Sequence, residues 1–340
     1  MGQRLNLEEI GRMAGVSRST VSRVVNGEPN VSNSAAKRVK AAIAETGYRP
    51  HAAARSLASN RTGVLGLVIP SAVATLFDDP YFGRLILGAS GETNALDATL
   101  ALFLFEQDND ENSIISRVVN PGLVDGVIVT ATTMGDPVIE HLRQANMPFV
   151  VVGRPDDGSA SYSVDADNRG GAKIAAKHLV SCGRTRIGII TPPSNTTAGL
   201  DRRLGFLEGL EEAGIDAGGR IEEGNWTEAS GAAALMRLLE SGVDGVFAGS
   251  DRMAVGALNA IRAAGLRCPE DVALVSFDGL VPAGQTSPQL TSIVQPINEV
   301  GQRAARLLKS VIDGEITTSE HVVFPTTLAI AESCGFKAMT

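Results

Sequence analysis

From residue 62 onward the chain alternates short β-rich apolar runs with amphipathic stretches whose apolar positions recur every three or four residues. That is the pattern of a parallel sheet with helical crossovers. Strands are expected near 63–69, 99–105, 125–131, 148–152, 186–191, 243–248, 272–277 and 290–295. Helices are expected near 81–96, 111–119, 136–146, 168–181, 200–213, 228–240, 252–264 and 297–312. Eight of each would also suit a closed barrel, and periodicity alone does not separate that from two open sheets.

The first sixty residues follow another pattern, three short helical stretches with no β-rich run. Asn6 can cap a helix running to about Ala14, with Leu7, Ile10 and Met13 on one face, and Gly15 breaks it. Ser17 is a ready cap for a second helix over about 18–25, where Val21, Val24 and Val25 form the inner stripe and Arg18, Ser19, Ser22 and Arg23 point outward. A third helix, near 33–45, ends at Gly47. Two helices joined by a short turn containing glycine make a helix-turn-helix, which holds its second helix where it can enter a major groove.

Charge sharpens this division. Residues 1–61 carry ten Lys and Arg against four Glu, a net +6, and the remainder is −14, so a basic module is joined to an acidic body. An outward face of Arg, Ser and Thr is what phosphate and base-edge contacts require. The length of 340 residues allows two or three domains with real cores. The three cysteines, Cys182, Cys268 and Cys334, have no CxxC spacing, which argues against a disulfide framework or a zinc site and fits a reducing compartment. No apolar run is long enough to span a membrane and the first twenty residues carry polar groups throughout in place of a signal peptide's apolar stretch, so a cytoplasmic protein without a membrane partner is expected.

The run Ala14-Gly15-Val16-Ser17-Arg18-Ser19-Thr20-Val21-Ser22-Arg23-Val24-Val25-Asn26-Gly27, followed by Val31-Ser32 and Gly47-Tyr48-Arg49-Pro50, closely resembles the head of the lac/galactose repressor family. The resemblance extends over essentially the whole chain. It implies an all-α helix-turn-helix head and an α/β body of two doubly wound parallel-sheet subdomains, similar to periplasmic sugar-binding proteins, and so decides against the barrel. The domains it implies are a DNA-binding head over 1–49, a hinge helix and linker over 50–61, and an effector-binding and dimerisation body over 62–340, with crossovers near 164, 293 and 324.

Carried over by position, Arg18 and Ser19 fall where the family specifies bases, and Ser17, Thr20, Ser22, Arg23 and Asn26 match its other DNA contacts. Leu7, Ser32 and Ala54 complete the implied interface, and Leu57 matches a leucine wedged into a minor-groove base step, where it would kink the duplex. In the body, Arg202 matches the family's arginine contact to effector oxygens, and Asp278, just after an expected strand, matches an acidic acceptor. Trp226, the single tryptophan, resembles a residue that stacks on a sugar ring. Ser250 stands where Asn is frequent, Gly279 replaces a common second Asp, and Tyr81 and Phe82, beside Asp79, correspond to the aromatic wall of the other subdomain.

Enzyme readings find no support. The chain has no GxxxxGK[ST] loop, no GxGxxG opening its first helix and no GxSxG elbow, and its four histidines form no HxxxH pair. No cofactor or metal is expected. The sequence is therefore read as a homodimeric, ligand-responsive repressor of carbohydrate-use genes that binds double-stranded operator DNA and answers a sugar. A purine or nucleoside corepressor is the alternative. A transport sugar-binding protein is less favoured, since it would need a signal peptide and has no use for residues 1–60.

Overall fold

A computed structural model describes residues 5–25, 30–48, 61–69, 77–104, 118, 122–130, 133–155 and 162–336. The chain forms two compact units, one of residues 1–63 with 120–125 and the other of the remainder.

The first unit contains α1 (Leu7–Ala14), α2 (Arg18–Val25) and α3 (Asn33–Thr46). Asn6 and Glu9 form a reciprocal capping box at the start of α1, so two amides that the helix leaves unpaired are satisfied. Gly15 ends α1 at φ +61°, a left-handed conformation costly for any residue with a Cβ. Ile10, Ala14, Val21, Val39 and Ala42 are buried together, and Leu7, Val16, Val24, Val25, Ile43 and Tyr48 pack around them. One turn of each helix thus supplies the core of a very small bundle.

The second unit opens with β1 (Val64–Ile69), α4 (Pro80–Ala95), β2 (Thr99–Leu104), β3 (Gly126–Val129), α5 (Pro137–Gln144), β4 (Phe149–Val152) and β5 (Tyr162–Ala166). Next come α6 (Asn168–Ser181), β6 (Ile187–Thr191), α7 (Thr197–Glu212), β7 (Ile221–Glu223), α8 (Glu228–Glu240), β8 (Gly245–Ala248) and α9 (Asp251–Ala263). The chain continues through β9 (Ala273–Asp278), β10 (Thr291–Val294), α10 (Ile297–Ile312), β11 (Glu320–Phe324) and β12 (Thr327–Ala329) to a 3₁₀ turn at Glu332–Cys334.

The strands form two six-stranded sheets in the orders β11-β5-β4-β3-β1-β2 and β12-β10-β9-β8-β6-β7. Every pairing is parallel except β10 with β12. The chain passes between sheets after β5, after β10 and between β11 and β12, so neither sheet is closed. Leu65, Leu67, Ile128 and Val150 of the first sheet are buried with Leu85 of α4 and Leu307 and Leu308 of α10. The second sheet is covered on both faces. Phe206 and Leu179 lie with Ile189, Phe247 and Phe277 on one side, and Leu235 and Met253 lie with Val246 and Leu274 on the other. Strands buried on both faces read as continuous apolar runs, which is why these were legible in the sequence.

Four strands were not expected. β7 and β12 have three residues each, too few for a period to register, and β11 is an edge strand of partly exposed residues. β5 is held in the sheet between β4 and β11, yet Tyr162–Ala166 reads as mixed polar sequence. The helix expected over 111–119 lies outside the described residues apart from Val118. No helix among the described residues is long and apolar enough to cross a membrane.

Candidate functional site

In the head, Val21 is fully buried and pins α2 against the other two helices. The opposite face of α2 therefore carries Arg18, Ser19 and Arg23 exposed, with Thr20 and Ser22 half-exposed. Ser17 accepts a hydrogen bond from the Thr20 amide at 3.2 Å, and its Oγ lies 2.8 Å from that of Ser19 and 2.9 Å from Thr20 Oγ1. These hydroxyls thus cluster at the amino end of α2, where the helix dipole favours an anion such as phosphate. Arg18 also approaches Glu8 at 3.7 Å, an exposed pair that phosphate can displace at little cost. Ser32 is exposed and caps α3 through the Ala35 amide. Leu7 is half-buried against the head core, so its main contact is packing. Asn26, Ala54 and Leu57 lie outside the described residues.

The second unit gathers its polar groups where parallel sheets present them, beyond the carboxyl ends of strands. Arg202 of α7 is 4% exposed, and its guanidinium is held from three directions. Its Nε donates to Asn168 Oδ1 at 2.8 Å, and its Nη1 donates to the Gly249 carbonyl at 2.5 Å and to Asp278 Oδ1 at 3.1 Å. The Phe277 ring lies 3.8 Å from its central carbon, and the Trp226 ring stands over the guanidinium at 5.6 Å. A planar cation held this way keeps its donors aimed and loses little further entropy on binding an oxygen ligand.

Asp278 is buried at the end of β9 with φ +113°, a strained conformation for a residue with a side chain. Its Oδ1 also accepts from Gln295 Nε2 at 2.6 Å, and its Oδ2 lies 3.4 Å from the Asp251 amide. Burial pushes the Asp278 carboxyl up to about 7, partly offset by Arg202 and reinforced by Asp251 and Asp79. Asp251 is buried next to it, accepting from Ser276 and Ser292 hydroxyls and the Leu280 and Val281 amides, and its pKa is raised mainly by burial. Ser250 is buried as the cap of α9, accepting from the Met253 amide at 3.2 Å.

From the first subdomain, Tyr81 brings its phenol into the same field. Burial of the hydroxyl and the nearby carboxylates of Asp165 and Asp278 raise its pKa, while Arg202 and the side chain of Thr130, its hydrogen-bond partner, act the other way. Asp165, at the end of β5, is pushed up to about 6 by burial. Its Oδ1 accepts from Asn168 Nδ2 at 3.0 Å, so Asn168 links Asp165 to Arg202. Phe82 does not join this group. It lies 6% exposed in the core of the first subdomain, edge-on to Tyr81 with ring centroids 5.5 Å apart, and so supports that ring from below.

Arg202, Asp278, Trp226 and Tyr81 are thus assembled around one centre, with Ser250 capping the adjacent helix. Asp165, Asn168 and Gln295 were missed. Their one sequence signal was position, each within a few residues of a strand's carboxyl end, and β5 had not been recognised. Three further contacts join the subdomains: Arg154 to Asp201 through paired bonds of 3.0 and 3.1 Å, Arg252 to Asp79 at 3.8 Å, and the Met134 amide to the Asn195 carbonyl at 2.7 Å. A cavity of about 190 Å³ opens beside Arg154, lined also by Thr133, Asp136, Arg143 and Thr197.

A model of bacterial regulatory proteins of the lacI family matches residues 6–51, and one of the periplasmic binding protein-like domain matches 176–334. The chain is 37% identical to the HTH-type transcriptional regulator CelR of Thermobifida fusca, over 97% of this chain and 98% of that one. It is 30% identical to catabolite control protein A of Priestia megaterium, over 97% and 99%. Among solved structures it is similar to a CelR–cellobiose complex, with a TM-score of 0.78 and 35% identity covering 97% of this chain and 100% of that one. It is also similar to the lac repressor dimer bound to operator and the anti-inducer ONPF, with a TM-score of 0.83 and 25% identity covering 98% and 99%.

Proposed function

The chain belongs to the lacI family of bacterial regulatory proteins and is a DNA-binding transcriptional regulator, and we propose that a sugar seated around Arg202 controls its affinity for operator DNA. The observation that carries this reading is the fixed guanidinium of Arg202 against the rings of Phe277 and Trp226, bonded to Asp278 and Asn168, which are held in turn by Gln295 and Asp165. A sugar ring has apolar faces and hydroxyl edges. Trp226 suits the faces, and alternating acceptors and donors suit the edges. The cellobiose in the complex of the similar CelR makes a β-linked glucose disaccharide the first ligand to try.

Arg202, Trp226, Asp278 and Ser250 come from the second subdomain and Tyr81 from the first, so a ligand touching both favours one arrangement of the cleft over another. Such differential contact is what allows a ligand to shift an equilibrium. Phe82 keeps a supporting part. On the DNA side, Ser17, Arg18, Ser19, Thr20, Ser22, Arg23, Asn26 and Ser32 are the proposed contacts, with Leu7 as their backing. The domain limits at 49 and 61 belong to the same reading, with 50–61 as the hinge and with Ala54 and Leu57 in the minor groove. A single helix-turn-helix reads one half-site, so the working species is a homodimer on a pseudo-palindrome. The body's part is binding, in keeping with its relatives, which are transcriptional regulators.

The test is calorimetric titration of the full chain with cellobiose, other disaccharides, monosaccharides and purines, repeated for Arg202→Lys. We expect a disaccharide to bind, and Arg202→Lys to lose at least tenfold in affinity while the ligand-free unfolding temperature moves by only a few degrees. Lysine keeps the charge but not the fork. Binding of a purine alone, or an unaltered affinity in Arg202→Lys, would overturn the sugar reading.

A further inference from the structure

At the opposite end of the second sheet, three side chains converge that are 152 or more residues apart in one case and a single helical turn apart in the other. His178 lies on the last turn of α6 and Cys182, four residues on, is its C-cap, so the two side chains fall on one side of the helix end. Cys334 comes from the 3₁₀ turn at Glu332–Cys334. That turn is fastened to the amino ends of β9 and β10, where Ser333 Oγ donates to the Leu274 carbonyl at 2.6 Å and accepts from the Thr291 amide at 2.9 Å. Asp278 lies four residues further along β9 from Leu274, about 13 Å at the usual strand rise. The cluster is therefore separate from the effector centre.

Its geometry is that of a metal half-cage. The imidazole nitrogen and two sulfurs all lie within 4.8 Å of one another, and His178 Nε2 is 3.7 Å from Cys182 Sγ. With zinc–sulfur bonds of about 2.3 Å and zinc–nitrogen bonds of about 2.0 Å, the corners of a tetrahedral site stand roughly 3.5–3.8 Å apart. The His178–Cys182 edge already has that length, and the other edges need to contract by about 1.3 Å at most. His178 and Cys334 are buried and Cys182 is half-buried, so the group is shielded yet open on one side. The Phe336 amide donates to Cys334 Sγ at 3.4 Å, and the Phe336 ring leans on His178 with centroids 5.6 Å apart. An amide donor is the usual outer support of a ligating thiolate, and the carboxyl end of a helix favours a cation. The charged neighbour is Arg184, held by the Pro269 carbonyl at 2.8 Å, whose positive charge offsets part of that of two thiolates.

We propose that His178, Cys182 and Cys334 form a Cys2His site for a thiophilic, tetrahedral metal ion, zinc(II) in the first instance, with a fourth position open to water. The bound ion ties the 3₁₀ turn at Glu332–Cys334 to α6, and so stabilises the second subdomain without touching the effector centre. No CxxC spacing marks this site, because its ligands are not all neighbours in sequence. An HxxxC pair on one helix needs a third ligand from elsewhere, and the fold supplies it from position 334.

The experiment uses the full chain, reduced and stripped of metal with a chelator, and titrates it with cobalt(II) as a spectroscopic substitute. One equivalent should give the intense visible bands of tetrahedral cobalt with a sulfur-to-metal charge-transfer band, and zinc should bleach them. Zinc should also raise the unfolding temperature of the parent, since a ligand for the folded state stabilises it. Cys182→Ser, at the half-exposed rim, and His178→Gln should each lose at least a hundredfold in cobalt affinity. The zinc-dependent rise in unfolding temperature should vanish in both. A reduced parent that gives no tetrahedral spectrum overturns the proposal, as does a spectrum that survives unchanged in both variants.

Discussion

A buried carboxyl whose pKa is raised makes the native state sensitive to pH in a definite direction. Asp278 at about 7 and Asp165 at about 6 hold protons that the unfolded chain has released above about 4. Stability therefore falls as pH rises through the window from about 4 to about 7, and the full penalty is present above it. Asp278→Asn removes the larger contributor, so its unfolding free energy should depend less steeply on pH across that window, by up to about one proton. Chemical denaturation of parent and variant at several pH values between 4 and 8 measures this, and parallel curves would refute the assignment. On the DNA side, Arg18 is exposed at the start of α2 with only a weak partner in Glu8. Arg18→Ala should weaken operator binding by about 1–3 kcal/mol. Competition against a set of single-base operator variants distinguishes a base contact, which relaxes one position, from a phosphate contact, which weakens all sequences alike.

At the scale of single elements, the head depends on very few interactions, because among the described residues its core is five buried side chains. Loss of the α1 capping box in Asn6→Ala should cost about 1 kcal/mol, a large part of what so small a bundle holds. Hydrogen exchange should show the loss in 5–48 and leave the second unit unchanged. The α6–α7 pair depends instead on close approach, since a Cβ on Gly205 would overlap the Arg169 carbonyl. Gly205→Ala should thus destabilise the second unit despite alanine's advantage of about 1 kcal/mol in a helix. Because Arg202 rides on the same helix, sugar affinity should fall with it. A variant as stable as the parent would mean that α7 can shift freely against α6.

For the second unit as a whole, the ion pairs that join the subdomains among the described residues are partly exposed. Arg154 is 46% exposed in its pair with Asp201, and Arg252 reaches Asp79 only at 3.8 Å. Pairs of this kind contribute about 0–1 kcal/mol each, which suits an equilibrium that a ligand must be able to shift. The combined variant Arg154→Ala with Arg252→Ala should change sugar affinity by up to about tenfold. Small-angle scattering of the ligand-free body should show a larger radius of gyration than the parent. Identical scattering and affinity would remove both pairs from the closure equilibrium.

The sequence by itself determined what local physics decides. The head was legible because capping residues, the break at Gly15 and the apolar spacing of α1 and α2 all act within a few residues of each other, and the doubly covered strands because burial on both faces leaves an unbroken apolar run. Tertiary structure decided which distant residues meet. Arg202 takes its partners from positions 34, 47 and 76 residues away, and no period in the chain encodes those separations. Phe82 and Tyr81 are adjacent and both aromatic, yet helix geometry turns one into the core and the other toward the cleft. The edge strands β7, β11 and β12 exist because a neighbouring strand offers hydrogen bonds, not because their own residues demand extension. The same reason hid the meeting of His178 and Cys182 with Cys334: sheet order and the crossover into β12 bring the turn at 332–334 back to α6, and only the folded backbone carries that information.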